Sequence, residues 1–366
     1  MTTYVDFHIL QLLPPSNINR DDTGSPKSAR FGGVERHRVS SQAWKRATRQ
    51  EFGRYLDESR LGIRTKQGPK IIAERICELR EDCTAEDAFE AAKKIVALGG
   101  IKLDKKNPDQ TGYLMFYARE EINHLAELAI QLLDGEDVKK AQVRKAIDNA
   151  RAVDIALFGR MIADAPELNV DASCQVKHAL SVHRATPDFD YYTAIDDELG
   201  ADESGAGMIG TIEFVSSVLY RYATVSVDSL EQNLGDPAAS AEAIRAFAQA
   251  FTLSMPTGKM NTFANRTRPD FVLVEIREDQ PVELGSCFED AVPADGNTMR
   301  NAALRLAQYA IDGDAQFGTA PVKSFYMALD RATTGDLEAV LAERSEKLSF
   351  PELVERIGAH VYQPEA

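Results

Sequence analysis

Cysteine is scarce and unpatterned in this chain. Cys77, Cys83, Cys174 and Cys287 form no C-x-x-C pair, and the six histidines do not cluster near them. Zinc-site spacing is therefore missing, and reduced, partly buried thiols are the expected state. Long apolar runs are missing too. No segment approaches the roughly 20 apolar residues that a bilayer-spanning helix needs. Residues 1–13 are apolar but carry Asp6 and lack a basic leader, so they read as a first strand rather than a signal peptide. A soluble, cytoplasmic chain with no membrane partner is expected. Internal repeats and low-complexity tails are also lacking.

What is present is enough apolar material for a substantial core, at 44% hydrophobic residues over 366 positions. That length suits two ordinary domains or one elaborated domain. The net charge of −15 argues against generic nucleic-acid binding, but the average hides an asymmetry. Between Asn19 and Arg54, nine Lys/Arg stand against four Asp/Glu, a local charge of +5. The rest of the chain carries −20. A nucleic-acid site needs a basic stripe, not a basic protein.

Residues 3–13 read as a strand ended by Pro14 and Pro15. A loop follows to about Val39, and Ser40 or Ser41 then caps a helix to about Leu56. Residues 57–170 read as a helical insertion, with helices over 69–81, 85–98, 119–133 and 138–150. Thr84-x-x-Asp87 forms a capping-box variant before the second of these. Val153–Phe158 and Cys174–His183 are short strand candidates. Thr211–Val227 alternates clearly and is a strand, as is Phe271–Arg277. Helices are expected over 229–234, 237–254 and 297–311, with a last strand over 322–329. Without the insertion the order is strand, helix, strand, strand, helix, strand. This is the split βαβ order of ferredoxin-like folds, which include the RNA-recognition fold.

On the helix from Ser41, Gln42, Lys45 and Arg49 project from one side, while Trp44, Ala47, Thr48 and Tyr55 form a core face. Cations in the first two turns oppose the helix dipole, and a phosphate at the helix start would resolve that conflict. A solvated cationic face fits the helix equally well when it is taken alone. The lead-in adds to it. Phe31-Gly32-Gly33 would let backbone approach a ligand, although this Gly-Gly pair matches neither Walker A nor G-x-G-x-x-G. Arg36, Arg38, Ser40 and Gln42 alternate, so an extended segment would align them. Arg20 and Lys27 add charge upstream. Such a mixture of Arg, Lys, Ser, Gln and glycine amides suits sugar-phosphate contacts better than base reading.

Several runs together are specific. They are Asn19–Asp22 (N-R-D-D), Phe31–Gln42 (F-G-G-x-x-R-x-R-V-S-S-Q) and Lys45–Arg49 (K-R-A-x-R). Further along come Asp154–Met161 (D-I-A-L-F-G-R-M), Asp188–Asp197 (D-x-D-Y-Y-T-A-x-D-D) and Glu213–Tyr222 (E-F-x-S-x-x-x-Y-R-Y). In consistent order over most of the chain, these resemble the CasC family, the crRNA-binding backbone subunit of the type I-E CRISPR Cascade complex. The resemblance implies an α+β fold: a ferredoxin-like/RRM-like palm with an inserted helical finger domain and a β-hairpin thumb. The palm would comprise residues 1–57, 171–184 and 211–366, the fingers 58–170 and the thumb 185–210. It also implies that copies stack head-to-tail along one crRNA, a heterologous contact that does not close. The other partners implied are target DNA paired to the guide and the further Cascade subunits CasA, CasB, CasD and CasE. No cofactor or metal is implied.

Carried over residue by residue, Arg20, Lys27, Arg38, Ser40, Gln42, Lys45 and Arg49 would grip the RNA backbone. Arg49 stands where some relatives have Lys. Met161 would press against a guide base. Tyr191 and Tyr192 occupy thumb-tip positions and would wedge a base pair out of the guide–target duplex. Asp21 and Asp22 raise an alternative, a type III-like backbone subunit that cleaves target RNA with Mg2+ through a loop aspartate. Loop capping, or an ion pair with Arg20 or Arg38, is the favoured role for these two. His37 is expected to pack. His178 and His183 fall on opposite faces of a strand and are not expected to share a metal. Tyr220 and Tyr222 share one face, where core packing is expected, and Trp44 is expected in the core.

Overall fold

The computed structural model describes residues 2–148, 151–195 and 206–362. In chain order its strands are β1 (Tyr4–Ser16), β2 (Ser28–Phe31), β3 (Val34–Val39), β4 (Gly62–Thr65), β5 (Met115–Ala118), β6 (Cys174–Val176), β7 (Ala179–Ser181), β8 (Asp188–Ile195), β9 (Ala206–Ser226), β10 (Phe271–Arg277), β11 (Lys323–Ala328) and β12 (Glu346–Lys347). Its α-helices are α1 (Ser41–Glu51), α2 (Gly68–Leu79), α3 (Ala85–Leu98), α4 (Arg119–Leu133), α5 (Lys140–Asp148), α6 (Val153–Phe158), α7 (Val227–Leu234), α8 (Pro237–Leu253), α9 (Met260–Phe263), α10 (Thr298–Phe317), α11 (Gly335–Leu341) and α12 (Phe350–Val361). They fall into two units. The first comprises Met1–Glu51, Val176–Ser226 and Phe247–Gln363; the second is chiefly Phe52–Gln175 and Val227–Ala246.

The first unit is built on β1, which is buried on both faces and carries Asp6, His8 and Gln11 as buried polar residues among apolar ones. The sheet order is β12-β11-β10-β1-β9-β7-β3-β2. Within it, β10-β1-β9-β7 is antiparallel at every pairing. With α1 after β1 and α8 between β9 and β10, this is the ferredoxin-like arrangement expected from element order. On one face Phe7 meets Phe247 and Phe251 of α8 edge-on, at 5.4 and 6.4 Å. Trp44 of α1 is fully buried. Arg221 sits 3.8 Å over the Trp44 ring and 4.7 Å from that of Phe251. Its guanidinium also donates to Gln11 and to the carbonyls of Phe251 and Thr252. Burial pulls its pKa down to about 9. On the other face Leu10, Tyr220, Tyr222, Phe271 and Leu273 pack with α10 residues such as Ala303 and Leu306. Tyr220 and Tyr222 are therefore core residues, and α10 covers the face that RNA-recognition domains leave open.

The second unit packs α2, α3 and α4 around Ile76, Ile95 and Leu125. The Thr84 hydroxyl accepts from Asp87 N–H and caps α3 where the sequence placed it. Residues 227–246, which sequence order put in the palm, cluster with this unit.

Four local expectations are corrected. Pro14 and Pro15 do not end β1, because a register shift between Leu13 and Ser16 accommodates them. The lead-in to α1 is no simple loop, since β2 and β3 form a hairpin within it. Val153–Phe158 is helix α6, not a strand; a six-residue apolar run carries no periodicity that separates the two. Cys174–His183 is interrupted after Val176, leaving the short strands β6 and β7.

Candidate nucleic-acid interface

The β2–β3 hairpin turns at Gly32 and Gly33, with φ of +58° and +78°. Two consecutive positive φ values are what a two-residue hairpin turn needs. A side chain at Gly32 would also overlap the Glu289 carbonyl. Both glycines thus serve the turn, and Gly32 also serves a close backbone crossing. Arg36 departs from expectation as well. It is fully buried and donates to the carbonyls of Phe31, Ser181, Phe288 and Glu289 at 2.8–3.2 Å. It anchors the hairpin and does not line up with Arg38, Ser40 and Gln42 on a surface.

Arg38 is half-buried, with Nε donating to Ser28 O at 3.1 Å and Nη1 lying 3.3 Å from His178 Nδ1. Its own N–H donates to Lys27 O, and Lys27 N–H donates to Asn19 O. Burial, then the charges of Arg38 and Lys27, hold His178 below its usual pKa. Lys27 and Arg38 therefore form one cationic group. Asn19 joins this group to α1, since its Oδ1 accepts from Ser40 N–H at 2.9 Å. The Ser40 carbonyl in turn accepts from the N–H groups of Ala43 and Trp44. Trp44, Ala47 and Thr48 face the core, Gln42 and Arg46 are exposed, and Lys45 and Arg49 are half-buried. The first turn of α1 has no acidic residue.

A wide cavity of about 890 Å³ lies between the Asn19–Gly24 loop, the start of α1 and the loop Pro256–Lys259. Arg20, Ser40 and Gln42 line it, as do Arg46, Gln50 and Lys259, which sequence reading did not select. Lys259 is held at φ +45° beside Gly258, whose backbone crosses that of Ile18. The run Pro256-Thr257-Gly258-Lys259, turn formers followed by a cation, was the available signal. Asp21 turns into its own loop, accepting from Thr23 N–H, the Thr23 hydroxyl and Ser25 N–H. The Thr23 hydroxyl foremost holds its pKa low. Asp22 is exposed on the cavity rim.

Met161 belongs to the second unit. Arg160 beside it is buried against Glu121 and donates to the carbonyls of Phe116 and Leu168. At Gly159, with φ +78°, a side chain would crowd Val170 O at 2.9 Å. This inward anchor leaves Met161 79% exposed.

Tyr191 and Tyr192 lie on the arm of the β8–β9 hairpin, paired with Thr211 and Gly210. The far end, residues 196–205, lies outside the described residues. Adjacent strand residues point to opposite faces, so the two tyrosines do not form one wedge surface. A side chain at Gly210 would meet the Tyr192 ring at 2.5 Å, which places that ring across the hairpin.

Fold and site together define an α+β protein with a ferredoxin-like sheet and one cationic edge in an acidic chain. The chain belongs to the CT1975-like protein family, whose model matches residues 5–356. It is similar to a solved chain of a "CRISPR RNA-guided surveillance complex, pre-nicking", with TM-score 0.87 and 33% identity over 98% of this chain and 100% of that one. A second solved chain, of a "CRISPR RNA-guided surveillance complex", gives TM-score 0.76 and 29% identity over 98% of this chain and 99% of that one. No curated protein matches the chain.

Proposed function

We propose that the chain is a crRNA-binding backbone subunit of a Cascade-type CRISPR surveillance complex, in the role that CasC has in type I-E. The observation that carries this reading is the end-to-end likeness, at 33% identity, to a chain of an RNA-guided surveillance complex. In this role copies polymerise head-to-tail along one crRNA and present it for pairing with target DNA in antiviral defence. CasA, CasB, CasD and CasE equivalents complete the assembly, which works in the cytoplasm. Among the described residues no helix is long and apolar enough to cross a membrane.

The local chemistry supports a grip without sequence reading. Arg20, Lys27, Arg38, Lys45 and Arg49 supply charge, and Ser40 and Gln42 supply neutral donors, a set that suits phosphate and sugar. Arg46 and Lys259 extend it. Met161, an exposed thioether, offers an apolar contact to a base. The subunit is non-catalytic in this reading: Asp21 accepts from its own loop, and Asp22 on the cavity rim is the carboxylate that the nuclease alternative would need.

The test is replacement of Lys45 and Arg49 by Ala. RNA binding weakens whatever the sequence, and the salt slope flattens by about 0.7 per lost single-strand phosphate contact. Unchanged binding would remove the reading. Mg2+-dependent cleavage of target RNA that disappears in Asp22→Ala would replace it with the nuclease reading.

A further inference from the structure

Asn17 is uncharged and lies just ahead of the basic stretch, so charge alone does not select it. It is fully buried, and its side-chain amide nitrogen donates twice, to Gly24 O at 3.0 Å and to Glu213 O at 2.9 Å. A primary amide has two N–H donors at a fixed angle, and a hydroxyl has only one. The two acceptors are far apart in the chain. Gly24 belongs to the loop that brings Arg20 and Asp22 to the cavity rim. Glu213 belongs to β9, the neighbour of β1 in the sheet. One amide group therefore ties the cavity-lining loop to the central sheet.

The loop that it holds is bonded to itself. Arg20 and Pro26 form an antiparallel bridge. Lys27 N–H donates to Asn19 O, and Asp21 N–H donates to Ser25 O. The Asp21 carboxylate accepts from the N–H groups of Thr23 and Ser25. Such a loop turns as one piece, so its direction depends on its attachments. Asn19 attaches one end to α1 through Ser40 N–H. Asn17 attaches the Gly24 end to β9. Without the second attachment the piece can swing about the first. The main chain of Asn17 is itself hemmed in, since a side chain at Gly258 would come within 2.4 Å of Ile18 O and 2.9 Å of Asn17 O.

We propose that Asn17 is a positioning residue of the RNA grip, acting through Arg20 by holding loop 19–27 against β9. Being fully buried, it touches no RNA itself. The inference rests on the function proposed above and adds the residue that aims one of its phosphate contacts.

The test is a double-mutant cycle on the full chain, read by binding of fluorescein-labelled oligouridine over a range of salt concentrations. Arg20→Ala loses one phosphate contact. Its salt slope flattens by about 0.7, which is about fivefold in affinity near 0.1 M salt. Asn17→Ala shows the same two changes although it removes no charge. The double variant binds as Arg20→Ala does, because Asn17 then has nothing to aim. Stoichiometric titration counts the competent molecules in each preparation. Misfolding lowers that count and leaves the slope of the remaining molecules unchanged, so it does not imitate the effect. Should Asn17→Ala not fold, Asn17→Ser, which cannot serve both carbonyls, takes its place in the cycle. Parent-like affinity and slope in either single variant overturn the proposal. So does a double variant weakened by the product of the single effects, about 25-fold, since Asn17 then acts independently of Arg20. A parent chain that binds no oligouridine overturns the functional reading beneath it.

Discussion

His8 and His37 are sealed inside the sheet unit, and burial pushes both down to a pKa of about 4. For His37 the nearby His183 lowers it further, and its Nδ1 shares a hydrogen bond with the Ser217 hydroxyl at 2.8 Å. An unfolded histidine titrates near 6.5. The stability each neutral ring contributes is thus complete above pH 6.5 and is lost as pH falls toward 4. Asp6 runs the other way. Burial raises it to about 7, so its contribution is complete below pH 3.8 and lost as pH rises through 7. A His37→Asn variant isolates one term. Its melting temperature falls less steeply than the parent's between pH 7 and 4.5, with a difference on the order of 3 kcal/mol across the range. Parallel curves would show that His37 is not the group being charged. The same scale shows what sequence could not reveal. Arg36 and Arg38 alternate identically in the sequence, yet Arg36 is captured by carbonyls from Ser181, Phe288 and Glu289. Those partners arrive only when distant segments meet.

Elements were legible where local chemistry closed them. Helix α3 begins at its Thr84 cap and α4 spans its expected residues, because caps and periodicity act within a few positions. Helix α6 and the β2–β3 hairpin were not legible. The first is held by long-range contacts such as Gly62 N–H to the Asp154 carboxylate, at 2.8 Å. The second hid behind polar residues that read as loop. The hairpin makes a graded prediction. Gly33→Ala meets open space and carries only the left-handed backbone cost, about 1–2 kcal/mol. Gly32→Ala pays that cost and also collides with Glu289, so its melting temperature drops further. Because β2 and β3 position Lys27 and Arg38, Gly32→Ala should also weaken RNA binding more than Gly33→Ala. Equal effects of the two substitutions would place the strain elsewhere.

At the scale of the molecule, charge sets the condition for assembly. Each copy carries −20 outside the Asn19–Arg54 stretch and +5 within it, so copies repel unless something anionic joins their basic edges. RNA is that joint in the proposed function, and the asymmetry was legible from composition alone. In that proposed function, RNA length, not protein concentration, sets copy number. A heterologous contact that does not close has no preferred count of its own. Light scattering on the chain mixed with RNAs of increasing length should show mass rising in steps of one copy per fixed increment of nucleotides. The RNA-free chain should stay a monomer at the same concentration. Added salt should shorten the assemblies by weakening the phosphate contacts. Lys45→Ala with Arg49→Ala should abolish the steps. A constant mass across RNA lengths, or a closed oligomer without RNA, would mean that the protein sets its own count and would remove the filament from the proposal.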